Sequence, residues 1–581
     1  MKKYILFIFV TVALFSAKAQ KPVVYDYSQE VMYAHLNATL FFPGEYLNYK
    51  LYCLDKEKNK LSSLSTIAYV ELIGASKETV FKHRVRLEDG KGFSDFFIPT
   101  TLPSGNYKVV AYTQWMQNTG VADVFIADVQ VINPYLSEKL KTTKSTPLKY
   151  TLNTKLHFQN SNKEHKTYAK IDVKLDKNTF GKREKVAALL VNNIAELGYG
   201  SYSISVRKVD EIPTFETPKA QIINKENFRK NGLLTPNAML APEREGYFLK
   251  GNILNTSTKI PASNIDVAIS IPGDDFYFSV ATTKLDGTFS FTIDPDFPGT
   301  SAILQVLDKQ NYLYSIYVHE NEAVDYSSLD FDDFEIASSL ENSIINRSVY
   351  NQIENGYYSV KPDTLIAVAP SNSFVRYEKG VTYNLDHFKR FPTMTEVFTE
   401  IMKIVYTAKG NDGAKVVKVV ERKFAKPTDD LAMLFIDGVF IPDHAAFLAF
   451  DALKVDKIKF VRNGYVFGKT DYQGVILVTT KNKDYKPSNG HSFCKENELF
   501  LPNTQKQYFQ QSYDDVTSET LNRIPDYRLQ LLWQPNMELK SVEEKVEFYT
   551  SDVDGIYKIA LEGFTRNGTP ISSETYFTVT N

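Results

Sequence analysis

Apolar and polar residues alternate with a period of two along most of this chain, and no other feature constrains its fold as much. Ile171, Val173 and Leu175 alternate with Asp172, Lys174 and Asp176, and Ile265, Val267, Ile269 and Ile271 alternate with Asp266, Ala268 and Ser270. Successive side chains on a strand point to opposite faces, so such runs read as strands with one face buried and the other in water. Gly, Pro, Asn and Asp bound these runs, which is the pattern of antiparallel sandwiches.

A short internal repeat sharpens the reading. A glycine followed at two-residue intervals by an aromatic and an apolar residue occurs as Gly105-Asn106-Tyr107-Lys108-Val109, Gly200-Ser201-Tyr202-Ser203-Ile204, Gly287-Thr288-Phe289-Ser290-Phe291 and Gly555-Ile556-Tyr557-Lys558-Ile559. Gly105, Gly200, Gly287 and Gly555 are thus predicted to be turn glycines tolerating positive φ, each feeding a strand whose inward face begins with a ring. The first three lie roughly 90 residues apart, close to the ~100 residues of one β-sandwich, whereas about 270 residues separate Gly287 from Gly555. Three tandem sandwiches fit the first half, and something different is inserted before the last glycine.

Composition narrows the function classes. The 67 Lys+Arg nearly balance 69 Asp+Glu, which argues against a strongly basic nucleic-acid binder and a disordered acidic chain. At roughly 150 residues per domain, 581 residues predict about four domains or more. Lys2 and Lys3 precede an apolar run that ends near Phe15, and Ala17-Lys18-Ala19 supplies small residues at a cleavage site. This reads as a secretory signal removed before Gln20, too short for a membrane anchor. Export is therefore expected, with no transmembrane segment of the chain's own after cleavage.

Two cysteines cannot form a disulfide scaffold. Cys53 sits in an alternating run and reads as a buried thiol, and Cys494 follows His491 in a loop-like stretch. The 8 His are scattered, without CxxC, HExxH or His-x-His spacing, so neither metal nor cofactor is expected. No Gly-x-Ser-x-Gly elbow, P-loop or dinucleotide fingerprint occurs, no carboxylate pair can be assigned acid and base roles, and the expectation is no catalytic residue and no enzyme. The charge run Asp330, Asp332, Asp333 and Glu335 lacks the glycine and spaced Asx pattern of a calcium loop and reads as a solvated linker.

Two resemblances add to this. The run Leu40-Phe41-Phe42-Pro43-Gly44-Glu45-Tyr46-Leu47-Asn48-Tyr49-Lys50, with 102–112, resembles macroglobulin-type sandwiches of exported bacterial proteins. Full macroglobulins trap proteases through a thioester in a Cys-Gly-Glu-Gln run, which neither Cys53 nor Cys494 has, so covalent trapping is not expected. The second signal is Leu434-Phe435-Ile436-Asp437-Gly438-Val439-Phe440-Ile441, then Val455 to Val461, Tyr465, Gly468, and Gly474-Val475-Ile476-Leu477-Val478-Thr479-Thr480-Lys481. In order and spacing this resembles the plug domain of TonB-dependent outer-membrane receptors, with Asp437, Gly438, Gly468, Gly474 and Lys481 as its motif residues. A packing helix is predicted over 394–406, capped at Thr393 or Thr395. The receptors follow their plug with a long barrel; here about 100 residues remain, ending on Asn581, and no barrel of the chain's own is expected.

The predicted fold is mainly β: tandem macroglobulin- or Ig-like sandwiches plus one small α+β plug-like domain, a combination similar to exported Bacteroidota proteins. The predicted division is a signal at 1–19, sandwiches at 20–134, 135–243 and 244–319, an acidic linker at 320–377, the plug-like domain at 378–484 and a C-terminal sandwich at 485–581. Functionally this implies a non-catalytic protein of the periplasm or outer membrane whose sandwich arms hold the plug-like domain against an outer-membrane β-barrel partner, a transporter or secretion channel. The loops at Asp437-Gly438 and 463–474 would sit in a pore mouth. A surface binding protein for glycans or peptides and a protease inhibitor without a thioester are the alternatives.

Overall fold

The alternating runs do form strands, and a computed structural model pairs them into three β-sandwiches and one α+β insert. It describes residues 28–136, 142–143, 171–222, 240–319 apart from 274, 296 and 298, 324–366, 379–410, 413–420, 430–487, 491–514 and 523–581. The expected signal at 1–19 lies outside the described residues. The fold is mainly β. Among the described residues no helix is long and apolar enough to cross a membrane.

Sandwich 1 packs a sheet centred on Tyr46–Asp55, flanked by Glu30–Leu36 and Lys91–Phe97, against a five-stranded sheet in which Gly105–Tyr112 pairs with Phe125–Val131 and Ile67–Gly74. Sandwich 2 departs from the division read from the sequence, which placed 135–243 and 485–581 in separate modules. Lys185–Asn192 pairs antiparallel with Glu543–Tyr549, and Gly200–Lys208 lies between Gln530–Leu539 and Gly555–Thr565. The two half-modules close one core, in which Ile204 and Val206 pack with Ile559, Leu561 and Phe577. Each stretch alone would leave an apolar face bare, so neither can stand as its own sandwich.

Sandwich 3 joins a sheet of Thr288–Ile293, Tyr247–Asn255 and Tyr314–Val318 to one of Tyr277–Thr282, Asp266–Ile271 and Ser301–Val306. Its last strand is borrowed: Cys494–Glu498, beyond the insert, pairs with Ser301–Val306. Cys494 therefore lies on a strand rather than in a loop, and it and the buried Cys53 are both free thiols. From there the chain runs back over sandwich 1, where Asn503 Nδ2 donates to Ser94 Oγ at 2.9 Å, and Lys506 Nζ and Tyr508 OH donate to Asp95 at 2.8 and 3.1 Å.

The stretch 320–377 was read as a solvated linker. Asp330, Asp332 and Asp333 are indeed exposed, but Tyr326 and Leu329 are buried in the core that includes sandwich 1. Helix α1 then spans Glu341–Gly356 with Arg347, Ser348 and Asn351 buried. Its buried residues are polar, with Ile344 and Tyr350 as apolar contacts beside them, so it carries no continuous apolar stripe for periodicity to detect. The helix predicted over 394–406 is shorter. Helix α2 covers Met394–Glu400, opened by a capping box between Thr393 and Glu396, and Val405–Lys409 is already a strand paired with Lys415–Val419.

Candidate functional site

The insert is built on a five-stranded sheet in the order Val381–Asn384, Val455–Phe467, Thr470–Thr480, Leu431–Ile436, Val439–Phe440. Leu431–Ile436 and Thr470–Thr480 run parallel, which requires a crossover. Helix α3, His444–Leu448, lies on it, capped by Asp443 Oδ1, which accepts from Ala445 N and Ala446 N. The apolar run Met433 to Ile436 is buried throughout because both faces are covered. Leu434 and Ile436 face α2 and α3 through Val397, Phe398 and Phe447. Met433 and Phe435 face sandwich 3 through Ala268, Phe276 and Phe278.

Three layers result, and they locate the motif residues. Asp437, at φ 49°, and Gly438, at φ 84°, form the two-residue turn of the hairpin that pairs Ile436 with Val439. The Asp437 carboxylate accepts from Thr480 N at 2.8 Å, Thr480 Oγ1 at 2.6 Å and Tyr485 N at 3.1 Å, so it ties the hairpin to the end of the central strand. A Cβ at Gly438 would lie 2.5 Å from Phe276 Cβ of sandwich 3, and one at Gly468 would lie 2.5 Å from Asp266 Oδ2. Lys469 N donates to that same oxygen at 2.9 Å. Gly474, at φ 81°, packs beside Val419, and Lys481 is exposed, its amide donating to Lys454 O. The structure thus joins Asp437 to the strand leading into Lys481, sets Gly438 and Gly468 against sandwich 3, and leaves Gly474 inside the insert.

This corrects two expectations. The tips at Gly438 and Gly468 are seated on sandwich 3 and do not stand free for a pore mouth. The strand Asp266–Ile271, expected to show Asp266, Ala268 and Ser270 to water, is buried along its whole length. Those three residues form the seat of the insert: Ser270 Oγ accepts from Phe440 N, and Gln305 Nε2 on the neighbouring strand donates to Phe440 O at 2.8 Å.

The four turn glycines stand at separate strand starts and form no common site. Gly287 and Gly555 have φ of 74° and 129°, while Gly105 and Gly200 lie outside the positive-φ region. At Gly200 the need is space, since a Cβ would meet Phe564 O at 2.2 Å.

Sequence reasoning missed the junction of sandwiches 1 and 2, which α1 closes. Glu45, at the end of the turn quoted above, accepts from Arg347 Nε and Nη2, both at 2.9 Å, and from Arg207 Nη2 at 3.2 Å; Arg347 also pairs with Asp210. Burial pushes the Glu45 carboxyl up, but the two guanidinium groups outweigh it and hold it below the usual range. Beside this clamp is a cavity of about 220 Å³ whose lining includes Tyr46, Asn48, Arg207, Tyr358, Tyr508 and Trp533. Within the described residues the buried Trp533 Nε1 and Arg207 Nε have no hydrogen-bond partner. The partners of Glu45 come from positions far apart in the chain, so no local motif announced them.

No family model and no curated protein matches the sequence. Among solved structures the chain is similar to Escherichia coli alpha-2-macroglobulin activated by porcine elastase, at 9% identity over 95% of this chain and 44% of that one, TM-score 0.24. A Salmonella alpha-2-macroglobulin aligns at 9% identity over 96% of this chain and 40% of that one, TM-score 0.23. The E. coli adhesin FdeC aligns at 12% identity over 50% of this chain and 61% of that one, TM-score 0.13. The chain spans less than half the length of these macroglobulins, and likenesses at such scores carry no argument about family or function. The sandwich architecture stands on the sheets themselves.

Proposed function

We propose that this chain is a non-catalytic, exported interaction protein whose sandwiches hold the α+β insert in a fixed pose for an outer-membrane β-barrel partner. The observation that supports it is the three-layer packing: sandwich 3 grips one face of the insert sheet, while the edge strand Val381–Asn384 is largely exposed and, among the described residues, has one side unpaired. An unpaired edge can accept a strand from another chain. The resemblance of the insert motifs to a receptor plug suggests the class of partner, and the N-terminal signal suggests the compartment. In this reading the partner meets the insert at that edge and not through the seated tips. Affinity purification of the tagged chain from detergent-solubilised envelopes tests it. A barrel protein should be recovered, with Val381→Asp reducing the yield several-fold; recovery of none overturns the barrel assignment.

The junction cavity favours a second reading, capture of a glycan or peptide, because rings and unsatisfied polar groups meet there. Calorimetric titration with soluble oligosaccharides and peptides distinguishes it: heat that disappears in Trp533→Phe supports this reading, and none in either protein dismisses it.

A further inference from the structure

Among the described residues six large apolar side chains are more than 60% exposed: Leu197, Ile260, Leu285, Tyr312, Leu365 and Val466. Leu285, at 93%, is the most exposed of them, and Ile260 at 62% and Tyr312 at 61% stand on the two loops beside it. The topology of sandwich 3 forces this. The strands Tyr247–Asn255, Tyr277–Thr282 and Ser301–Val306 all run toward one end, where loops 256–265, 283–287 and 307–313 turn the chain. The loops brace one another: Thr256 N donates to Leu313 O at 2.8 Å, and Gly287 sits directly on Pro261 and Ala262. The hairpin carrying Val466, 71% exposed, reaches the same end, since Lys469 N bonds Asp266 and Lys469 Nζ bonds Asn264 O.

Each loop also carries an exposed lysine next to or near its apolar residue: Lys259, Lys284 and Lys309. None of the three forms an ion pair among the described residues. The acids of these loops accept from their own turns and stay charged, Asp286 from Thr288 N and Oγ1 with Lys284 beside it and Asp308 from Gln310 N, so the loops carry three lysines against two aspartates. Apolar tips and a tyrosine ring bordered by exposed lysines, with a small excess of positive charge, match an interface where hydrocarbon lies beneath anionic headgroups.

We infer that this end of sandwich 3 is a membrane-docking face, seating Ile260, Leu285 and Tyr312 in an anionic lipid surface. It is independent of the barrel reading. The test adds a fluorescent reporter through Leu285→Trp in the mature chain, in which Trp115 and Trp533 are both buried. With phosphatidylglycerol-rich vesicles the emission should shift to the blue and the protein should co-sediment, while phosphatidylcholine vesicles should retain far less. The double variant Ile260→Ser, Leu285→Ser should partition at least about tenfold more weakly. The triple variant Lys259→Gln, Lys284→Gln, Lys309→Gln should lose several-fold on anionic vesicles alone. Unchanged thermal melting shows that the variants fold. Absence of vesicle binding, equal binding to both lipids, or binding indifferent to these substitutions overturns the inference; in the first case the tips serve a protein partner.

Discussion

Tyr202 is fully buried, and its hydroxyl donates to the carbonyl of Gly198, four residues upstream, at 2.7 Å. Tyr107 makes the same bond to Pro103 and Tyr557 to Val553, each at 2.8 Å. The Gly-x-aromatic repeat is therefore largely a set of tyrosine corners, in which the ring fills the core and the hydroxyl pins the chain entering the strand. Phe289 holds the fourth place with no hydroxyl, so sandwich 3 fixes that turn by Gly287, at φ 74°, and by the Asp286 carboxylate, which accepts from Thr288 N and Oγ1. Tyr202→Phe should destabilise by about 1 kcal/mol, because it leaves a buried carbonyl unpaired, and urea denaturation should show a lower midpoint with an unchanged slope. The repeat was legible in the sequence, but its hydrogen bond was not, since the acceptor is a main-chain carbonyl that any residue can supply. Asp437 shows the same limit: its turn with Gly438 could be read directly, whereas its bonds to Thr480 and Tyr485 required the fold.

Strands and helices follow local pattern except where a second layer covers them. Asp266–Ile271 reads as half-exposed and is wholly buried, because the insert lies on its outer face. The continuous apolar run Leu434 to Ile436 carried the matching signal on the insert side, since a strand without alternation is one covered on both faces. Phe278 is central to that seat, its ring 5.2 Å from Phe435, 4.9 Å from Phe440 and 5.0 Å from Phe467. Phe278→Ala should cost about 3 to 5 kcal/mol at this interface. In hydrogen exchange the strands Leu431–Ile436 and Thr470–Thr480 should lose protection while sandwich 1 keeps its own; uniform loss across the chain would show that the seat is no separate element. Helix α1 marks the opposite failure, since its buried face of Arg347, Ser348 and Asn351 is polar and periodicity reports only apolar faces.

At the scale of the molecule the chain is nested: it lays down sandwich 1, half of sandwich 2, sandwich 3 and the insert, then returns to supply a strand to sandwich 3 and the other half of sandwich 2. Sandwiches 1 and 2 meet over Tyr33, whose hydroxyl donates to the buried Glu562, and Ala220 N and Ser572 Oγ donate to the same carboxyl oxygen. Burial pushes the Glu562 carboxyl up to about 7, and these hydrogen bonds offset that only in part. With a folded value above its ordinary 4.5, the group contributes stability that is full below about pH 4.5 and is lost as pH rises through about 7. Glu562→Gln is neutral at every pH, so it should match the wild type near pH 4 and exceed it by on the order of 1 to 3 kcal/mol near pH 8, measured by denaturation at both values. An equal difference at the two pH values would remove Glu562 as the source.

What the sequence determined by itself is local: where strands run, where turns fall, the aromatic repeat and the order of the insert motifs. Backbone sterics and side-chain periodicity act over a few residues, so they are written in consecutive positions. The tertiary structure decided which strands share a sheet, what covers Asp266 and Phe435, and that 171–208 and 530–579 complete one sandwich. A buried face says only that something must cover it, and closing a long loop costs little more entropy than closing a shorter one. The partner of each face was therefore settled by packing across the whole chain.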